Sequence, residues 1–218
     1  MLSFQDFFTA CAGLWVTERT YHFVLQNEIE RSHTEFRATS LSLDEKQRLL
    51  SAQIATSATF GDVKIDTDAA LTDEQTVPGF AIAFDTVSDK GERVSMSLKA
   101  LFVPDALVIS GESSLELPLL PPAAQVNLKP DGDVIQGFYL RDEGYSETGA
   151  IAGRFTYQPV RQTLEMTTYY KRSIAVDQMR FVTPDLRLRT IVTYQRPPAG
   201  ETPTVIDLIG FGAEQKQP

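Results

Sequence analysis

Apolar and polar side chains alternate from residue 15 to residue 26, which predicts a β-strand. One face of this strand would be apolar apart from a single guanidinium: Trp15, Thr17, Arg19, Tyr21, Phe23 and Leu25. The more polar face would carry Val16, Glu18, Thr20, His22, Val24 and Gln26. Because an unpaired arginine is costly to bury, we expect Arg19 to have an anionic partner, supplied either by the protein or by a ligand.

Two helices are predicted from capping signals and helical spacing. Ser3 and Asp6 resemble a capping box that opens a helix over residues 4–11. The apolar side chains of this helix share one face: Phe4, Phe7, Phe8 and Cys11. We expect that face to be exposed, which favours a homodimer. A second capping box at residues 42–45 opens a helix that runs to about residue 56.

Short alternating stretches separated by turn residues account for much of the remaining chain. They predict further strands at residues 32–41, 80–87, 92–103, 107–109, 113–117, 134–140, 150–157, 163–171, 177–183, 186–194 and 204–211. Asp131 and Gly132 form a hairpin turn signal. Many short strands joined by sequential hairpins indicate an all-β fold, an antiparallel up-and-down β-barrel of about ten strands with a short N-terminal helix and one further helix.

The length of 218 residues suits a single domain over residues 1–218. Residues 118–133 contain four prolines, so we interpret them as a long loop or lid rather than a domain linker. Residues 212–218 are expected to form a flexible tail.

The net charge of −9 excludes function classes that need a basic surface. A protein that binds nucleic acid through general electrostatics would be basic, and binding to an anionic membrane surface is disfavoured for the same reason. An anionic small ligand is compatible with this charge only where arginines cluster locally. The single cysteine, Cys11, excludes an internal disulfide and fits a reducing compartment. No apolar run reaches the length of about 18 residues that a membrane span requires.

Residues that could support metal or nucleophilic chemistry are scarce. The two histidines, His22 and His33, lie on different predicted strands and lack ligand spacing, so we expect no metal site. The sequence has neither a Gly-x-Ser-x-Gly elbow nor a glycine-rich phosphate loop. Because His22 lies on the more polar face of its strand, we interpret it as a surface or rim histidine.

Charged residues within the late strands are the unusual feature of the sequence. Arg187 and Arg189 share one face of the strand at 186–194. The alternation predicts that the opposite, leucine-containing face points inward and leaves both arginines in solvent. Asp177 and Asp207 each share a face with apolar residues, so either could be solvated at a strand end or could line a barrel mouth.

If the three arginines and Asp177 instead converge in one cavity, they define the chemistry of a ligand. A closed barrel of about eight to ten strands can hold one small molecule. Several cationic groups, one carboxylate and aromatic walls suit an elongated apolar ligand with acid groups. A fatty acid matches the acid and the tail. A linear tetrapyrrole also matches the carboxylate, because its propionates need arginines and its pyrrole nitrogens need an acceptor.

Three blocks of the sequence resemble the S-type phycobiliprotein chromophore lyases. The first block runs over residues 7–22 and contains AGLW followed by RTYH. The second contains RDEGYSE at residues 141–147 and IAGRF at residues 151–155. The third and most specific is FVTPDLRLRT at residues 181–190.

The resemblance implies a lipocalin-like (calycin) barrel in which Trp15 closes the floor against Arg187 or Arg189. It implies a lyase that binds a phycobilin, such as phycocyanobilin or phycoerythrobilin, non-covalently as its substrate, with no cofactor. The bilin would be attached by a thioether bond to a cysteine of an apo-phycobiliprotein alpha or beta subunit. The reaction would take place in the cytoplasm of a cyanobacterium or in a plastid stroma or lumen.

The candidate site residues divide into a central set and further positions. Arg187 and Arg189, with Arg19, would clamp the propionates, and Asp177 would favour the protonated, more electrophilic bilin. Asp177 and Arg187 are therefore the candidate catalytic residues. Further candidate substrate-binding residues are Tyr145, Glu147, Arg154, His22 and Asp207. The alternatives are a calycin that carries a bilin or an acidic lipid without transferring it, and an assembly chaperone whose barrel is packed solid.

Overall fold

The computed structural model describes residues 1–56, 64–72, 76–109, 119–125, 134–145, 147 and 149–218. The strands in these ranges are β1 Gly13–Phe23, β2 Glu28–Ser40, β3 Lys64–Ile65, β4 Gly79–Ser88, β5 Arg93–Pro104, β6 Val108–Ile109, β7 Ile135–Arg141, β8 Ile151–Gln158, β9 Thr163–Tyr169, β10 Ser173–Thr183, β11 Leu186–Gln195 and β12 Ile206–Lys216. The α-helices in the same ranges are α1 Phe4–Cys11, α2 Leu43–Thr56 and α3 Thr67–Thr72.

Ten of the described strands close into an antiparallel barrel, in the order β1–β12–β11–β10–β9–β8–β7–β5–β4–β2. The predicted all-β, lipocalin-like up-and-down barrel is therefore confirmed. Strands β3 and β6 pair separately, so the strand predicted at 107–109 exists but lies outside the barrel. The strand predicted at 113–117 and the turn at 131–132 lie outside the described residues.

The inward faces of β4 and β5 show why alternating sequence closes a barrel. Phe80 pairs in register with Ala100, and Ile82 pairs with Leu98. Phe80, Leu98 and Ala100 are buried in the core, as the alternation predicts. Because side chains two residues apart share a face, each of these strands presents a continuous apolar row to the interior.

Both predicted helices are confirmed, together with their capping boxes. Ser3 Oγ accepts a hydrogen bond from the main-chain nitrogen of Asp6 at 3.1 Å. Glu45 Oε2 accepts one from the main-chain nitrogen of Ser42 at 2.8 Å. Each of these bonds satisfies a main-chain N–H donor at the start of a helix, where the helix itself supplies no acceptor. Among the described residues, no helix is long and apolar enough to cross a membrane.

Helix α1 plugs one end of the barrel and forms its floor. Phe7 and Phe8 are buried, and the ring centroid of Phe8 lies 4.6 Å from that of Phe102. The Phe7 ring meets that of Phe181 edge-on at 5.1 Å. The apolar face of α1 is therefore enclosed by the barrel, and the expectation that it is exposed is wrong. That helix face gives no support to a homodimer.

Helix α2 covers part of the outer wall of the barrel. Leu49 and Leu50 are buried and belong to a second apolar cluster with Leu101 and Phe138. Leu101 and Phe138 project outward from β5 and β7, which explains why these two strands are apolar on both faces. The helix thus excludes water from a wall that would otherwise expose a large apolar surface.

Strand β12 continues to Lys216, so the expectation of a flexible tail over residues 212–218 is wrong. Glu214, in the middle of this stretch, pairs in register with both β1 and β11 and is fully buried. Lys216 Nζ donates a hydrogen bond to the carbonyl oxygen of Ala10 at 3.1 Å, at the end of α1. These last residues therefore close the barrel and fasten its floor.

Residues 119–125 lie against the outer face of the barrel. The main-chain nitrogen of Ala123 donates to Tyr194 Oη at 3.1 Å, and Gln178 Nε2 donates to the Ala123 carbonyl oxygen at 3.2 Å. Both partners project outward from β10 and β11. This part of the loop predicted at 118–133 thus covers the side of the barrel, and the lid interpretation is wrong for it. The rest of that loop lies outside the described residues.

A buried carboxylate lies on the outer face of β9, next to the same segment. Glu165 is 3% exposed, and its Oε2 lies 3.5 Å from Gln178 Nε2, the amide that also donates to Ala123. Burial raises the pKa of Glu165 to about 7, although hydrogen bonds from Gln178 and Thr167 act in the opposite direction. The carboxyl group is thus protonated more readily in the folded chain than in the unfolded one.

We expect the stability of the protein to fall as pH rises from the ordinary pKa of Glu165, 4.5, through about 7. Below that window both states hold the proton, whereas within it the unfolded chain releases the proton first and the free energy of unfolding decreases. Glu165→Gln should flatten this part of the profile, measured by urea unfolding at about pH 5 to 8, and the exposed-site control Glu92→Gln should not. An unchanged slope in Glu165→Gln would contradict the prediction.

Candidate functional site

The barrel encloses a cavity of about 410 Å³ towards the strand ends that are remote from α1. This volume lies within the range of about 300–1,000 Å³ typical of small-molecule sites. The apolar and aromatic part of its lining includes Tyr21, Phe36, Ile82, Phe84, Val94, Tyr139, Tyr145, Met166, Tyr170 and Ile191. The charged part of the described lining is Arg19, Arg141, Asp177 and Arg189.

Arg19 projects from β1 into the cavity wall, and the protein itself supplies an anionic partner. Arg19 Nη2 lies 3.2 Å from Glu214 Oε1, and Nη1 donates to Tyr21 Oη at 3.4 Å. Gly212 is the residue opposite Arg19 on β12. A Cβ atom at Gly212 would lie 3.1 Å from Arg19 Cγ, so the glycine leaves room for the arginine to cross β12 towards Glu214.

Glu214 is shared among three guanidinium groups. Its Oε2 lies 2.5 Å from Arg187 Nε, and its Oε1 lies 3.2 Å from Arg19 Nη2 and 3.7 Å from Arg189 Nη1. Burial alone would raise the pKa of Glu214. The charges of Arg187, Arg189 and Arg19 outweigh that effect and hold the pKa below its usual value. Glu214 is therefore a carboxylate at neutral pH and fixes the arginines around it.

Arg187 lies beneath the cavity rather than in its lining. It is 2% exposed, its guanidinium carbon lies 4.6 Å from the Trp15 ring centroid, and its Nη1 donates to Cys11 Sγ at 3.1 Å. The floor-closing contact that the resemblance implies for one of two arginines thus belongs to Arg187. Its predicted place in a propionate clamp and in catalysis is corrected, because the side chain is enclosed and its charge is met by Glu214.

Asp177 and Arg189 form a charged pair that faces the cavity. Arg189 Nε donates to Asp177 Oδ1 at 2.9 Å and to Oδ2 at 3.1 Å, and Nη2 also contacts Oδ2. Burial alone would lower the pKa of Arg189, but Asp177 and Glu214 raise it well above its usual value. The structure thus brings Asp177, Arg189 and Arg19 together in one cavity wall, which is the arrangement that the ligand hypothesis assumes for these three residues.

The face of β11 that points inward is the opposite of the one that its alternation predicts. Leu188 is 45% exposed, whereas Arg187 and Arg189 are 2% and 9% exposed. Carboxylates on the two neighbouring strands, Asp177 of β10 and Glu214 of β12, meet the two guanidinium groups. Because these pairs and their hydrogen bonds offset the cost of burial, the charged face can lie inside.

Arg141 is a cavity residue that the sequence prediction misses. It is 2% exposed, and its Nε donates to the Glu143 carbonyl oxygen at 3.0 Å. Its Nη1 donates to Tyr170 Oη at 3.3 Å, and its guanidinium carbon lies 4.2 Å from the Tyr145 ring centroid. The predicted strand ends one residue earlier, so Arg141 falls in the turn. Continuing the alternation from Tyr139 would place it on the inward face.

Of the further candidate substrate-binding residues, Tyr145 lines the cavity. Glu147 Oε1 instead accepts a hydrogen bond from the main-chain nitrogen of Lys171 and so ties two loops together. Arg154 projects from the outer face of β8, where its two terminal nitrogens contact the Asp105 carboxylate at 2.6 and 2.5 Å. The predicted substrate contact of Arg154 is corrected, since the residue faces away from the cavity.

His22 and Asp207 also lie outside the cavity. His22 projects from the outer face of β1 and stacks on Phe211 with a centroid distance of 6.0 Å, which agrees with its interpretation as a surface histidine. Asp207 lies at the start of β12, where its carbonyl oxygen accepts a hydrogen bond from the main-chain nitrogen of Val24 at 2.8 Å. Neither side chain is part of the described cavity lining, so their predicted contacts with substrate are corrected.

The described lining of the cavity therefore offers cationic, aromatic and phenolic groups, together with one carboxylate. Such a wall can orient anionic groups through arginines and accept hydrogen bonds at Asp177. In the described ranges, no group of three or more histidine, cysteine, aspartate or glutamate side chains could hold a metal ion.

A family model described as "CpeS-like protein" matches residues 3–107 and 123–216. The chain is 38% identical over 213 residues to "Chromophore lyase CpcS/CpeS 1" of Synechococcus sp. (strain JA-3-3Ab), covering 98% of this chain and 96% of that relative. It is 24% identical over 191 residues to "Chromophore lyase CpcS/CpeS" of Thermosynechococcus vestitus, covering 88% and 84%.

Its fold is similar to that of the S-type phycobiliprotein lyase CPES from Guillardia theta. The TM-score is 0.60 at 16% sequence identity, and the match covers 100% of this chain and 94% of that chain. The family assignment rests on the family model and on the Synechococcus relative. Both matches extend over nearly the whole sequence. The chain belongs to the CpeS-like protein family.

Proposed function

We propose that this protein is a chromophore lyase. It binds a phycobilin non-covalently in the barrel cavity and attaches it by a thioether bond to a cysteine of a phycobiliprotein alpha or beta subunit. Relatives in the family carry the name chromophore lyase. The observation that carries the proposal is a cavity of about 410 Å³ whose wall combines aromatic rings with Arg19, Arg189 and Asp177. We place the reaction in the cytoplasm of a cyanobacterium or in a plastid.

The cavity suits a linear tetrapyrrole in shape as well as in charge. Phe84 and Tyr21 offer ring faces and edges to a flat conjugated ligand. Arg19 and Arg189 lie on the same wall and can meet carboxylates, which supports the binding of a propionate there. An open cavity of this size counts against a barrel that is packed solid and acts only as an assembly chaperone.

Asp177 is the residue that would act on the reactivity of the bilin. Arg189 holds its carboxylate through hydrogen bonds from Nε and Nη2, which fixes the direction of the acceptor lone pairs. A carboxylate beside the pyrrole nitrogens favours the protonated tetrapyrrole, which is the more electrophilic form. Asp177 thus activates the bilin, while the cavity wall orients it.

The bond-forming step is the addition of a thiol across the exocyclic ethylidene double bond of the bilin. The sulfur bonds to the ethylidene carbon, the thiol proton passes to the adjacent ring carbon, and nothing is oxidised or reduced. The acceptor protein supplies this thiol. Cys11 is 1% exposed beneath the cavity floor, and burial raises the pKa of its thiol although Arg187 acts in the opposite direction. A protonated, enclosed thiol is a poor nucleophile.

A tryptophan placed inside the cavity should weaken bilin binding, whereas the same change outside should not. Thr193 lines the cavity, and Thr190 is exposed on the outer face of the same strand. We expect Thr193→Trp to weaken phycocyanobilin binding about tenfold or more, since the indole fills the space of the ligand. Thr190→Trp should bind like the wild type. Absorbance titration of each purified protein measures the affinity.

The same proteins distinguish a lyase from a carrier. Mixing each bilin-loaded protein with apo-phycobiliprotein subunits should give a chromophore that stays on the subunit in denaturing gels, because a thioether bond survives denaturation. Binding without transfer to either subunit would identify a carrier instead. Equal binding by Thr193→Trp and the wild type would place the bilin outside the cavity.

A further inference from the structure

We propose that Gly210 of β12 is a positioning residue that determines which ligands the cavity accepts. Because Gly210 has no side chain, the ring of Tyr21 can lie against β12, and the cavity stays wide enough for an extended linear tetrapyrrole. This inference rests on the proposed function, since it concerns the ligand of the same cavity. Gly210 acts through Tyr21 and does not need to touch the ligand itself.

The inward face of β12 carries a glycine opposite each of two long side chains of β1. Gly210 pairs in register with Tyr21, and Gly212 pairs with Arg19. Both Tyr21 and Arg19 line the cavity. A glycine weakens the interior of a strand, so its presence there often marks a place where another group approaches closely. The group that approaches Gly212 is Arg19, and the group that approaches Gly210 is Tyr21.

The Tyr21 ring lies directly over Gly210. A Cβ atom at Gly210 would be 2.7 Å from both Cδ1 and Cε1 of this ring, and 3.6 Å from Cβ of Ile191, which pairs with Gly210 from β11. Gly210 is buried and is not part of the described cavity lining, whereas Tyr21 and Ile191 are part of it. The ring therefore covers the glycine and forms the cavity surface in its place.

A side chain at position 210 would displace the ring into the cavity. Carbon atoms attract one another at about 3.5–4.0 Å, so a contact at 2.7 Å is strongly repulsive. Strand β12 cannot easily move away, because it pairs with β1 on one side and with β11 on the other. Tyr21 can relieve the contact by turning about its side-chain bonds towards the open space of the cavity. The displaced ring would then occupy room that the ligand needs.

The position of the ring also supports a charged residue of the same wall. Arg19 Nη1 donates to Tyr21 Oη at 3.4 Å, and Arg19 Nη2 lies 3.2 Å from Glu214 Oε1. Displacing the ring would withdraw the phenol oxygen from Arg19 and leave Glu214 as its anchor. Through one side chain, Gly210 thus influences both the width of the cavity and the orientation of a guanidinium group that can meet a propionate.

A double-mutant cycle on Gly210 and Tyr21 provides the test. We expect Gly210→Ala to weaken phycocyanobilin binding about tenfold, the scale of overpacking a filled space. The visible absorbance band of the bound bilin should fall relative to the near-ultraviolet band, because a coiled tetrapyrrole absorbs less in the visible range than an extended one. In a Tyr21→Ala background, Gly210→Ala should change neither the affinity nor the spectrum, since no ring remains to be displaced. Ala213→Val adds carbon atoms to the exposed face of β12 and, as the control, should match the wild type.

Each of the other outcomes overturns the proposal. An equal loss from Gly210→Ala with and without the Tyr21 ring would show that the glycine serves the β12 backbone, and no loss in either background would show that the ring has room. A Tyr21→Ala protein that binds no bilin would also contradict it, since the wider cavity should still admit the ligand. These results leave the proposed function intact, because the wild type still binds and transfers the bilin. If the wild type binds no bilin, the proposed function fails and this inference fails with it.

Folding of the variants is checked by circular dichroism. If Gly210→Ala does not fold, the double variant with Tyr21→Ala decides the question. Removing the ring should then restore folding, and the double variant should bind phycocyanobilin as Tyr21→Ala alone does. A double variant that remains unfolded would mean that Gly210 is required by the strand itself, and it would overturn the proposal.

Discussion

Replacing Glu214 with glutamine should lower the free energy of unfolding by about 3 to 5 kcal/mol, the cost of removing one partner from a buried ion pair. Glu214 is fully buried and serves Arg187, Arg19 and Arg189 at once. Glutamine keeps the shape of the side chain but removes its charge. Arg187, which is also enclosed, would then retain a charge in the barrel floor with no carboxylate beside it.

The loss can be measured by urea unfolding with linear extrapolation to zero denaturant. Glu201→Gln is the matched control, since Glu201 is exposed in the turn that precedes β12 and its replacement should change stability by less than about 0.5 kcal/mol. A Glu214→Gln protein as stable as that control would mean that the three arginines do not depend on this carboxylate.

The second large effect is expected on the reaction itself. Asp177→Asn should slow bilin transfer about 100-fold, the usual scale for losing a positioned proton-transfer or charge-stabilising group. The amide cannot favour the protonated tetrapyrrole, and it leaves Arg189 without the carboxylate that it contacts through Nε and Nη2. Binding should weaken less than transfer, because the aromatic walls are unchanged.

A single-turnover assay separates the two steps. Protein loaded with phycocyanobilin is mixed with apo-subunit, and the thioether-linked product is followed by absorbance. Asp185→Asn, at an exposed position in the turn between β10 and β11, should transfer at the wild-type rate. Wild-type binding together with wild-type transfer in Asp177→Asn would remove Asp177 from the mechanism.

Much of the barrel could be predicted because side chains in its strands alternate between the inside and the outside of the barrel. The apolar alternation of β4 and β5 places Phe80 and Leu98 inside, and their burial confirms it. The helix caps at Ser3 and Ser42 are equally local, since each depends on a residue three positions away. Features of this kind can be recognised in a single sequence because the residues that form them are close together in the chain.

The charged half of the site could not be predicted in the same way. A buried arginine and a surface arginine look alike in an alternating strand, so Arg187 and Arg189 are assigned to solvent unless their carboxylates are known. Asp177 is on another strand, and Glu214 lies where a frayed end is expected. Only the barrel register brings these groups together, and register is a long-range property.

Helix α3 is not predicted from the sequence pattern, although the sequence contains a signal for its start. It spans only Thr67–Thr72, too short for helical periodicity to emerge. Asp66 precedes it, and Asp66 Oδ1 accepts a hydrogen bond from the main-chain nitrogen of Ala69 at 2.9 Å, as an N-terminal cap does. Asp66 is therefore the sequence signal for the start of this helix.

The ladder between β1 and β12 also bears on how the protein folds. The ion pair that it creates joins Arg19 and Glu214, which are 195 positions apart in the chain. We expect contacts of such separation to form late, since loop closure costs entropy before it returns any interaction energy. Until β12 docks, Arg19 and Arg187 can keep water around their charges, and the docking step removes that water and supplies Glu214 at the same moment. In this order of events, barrel closure would couple a large entropic cost of folding to the neutralisation of the buried charges.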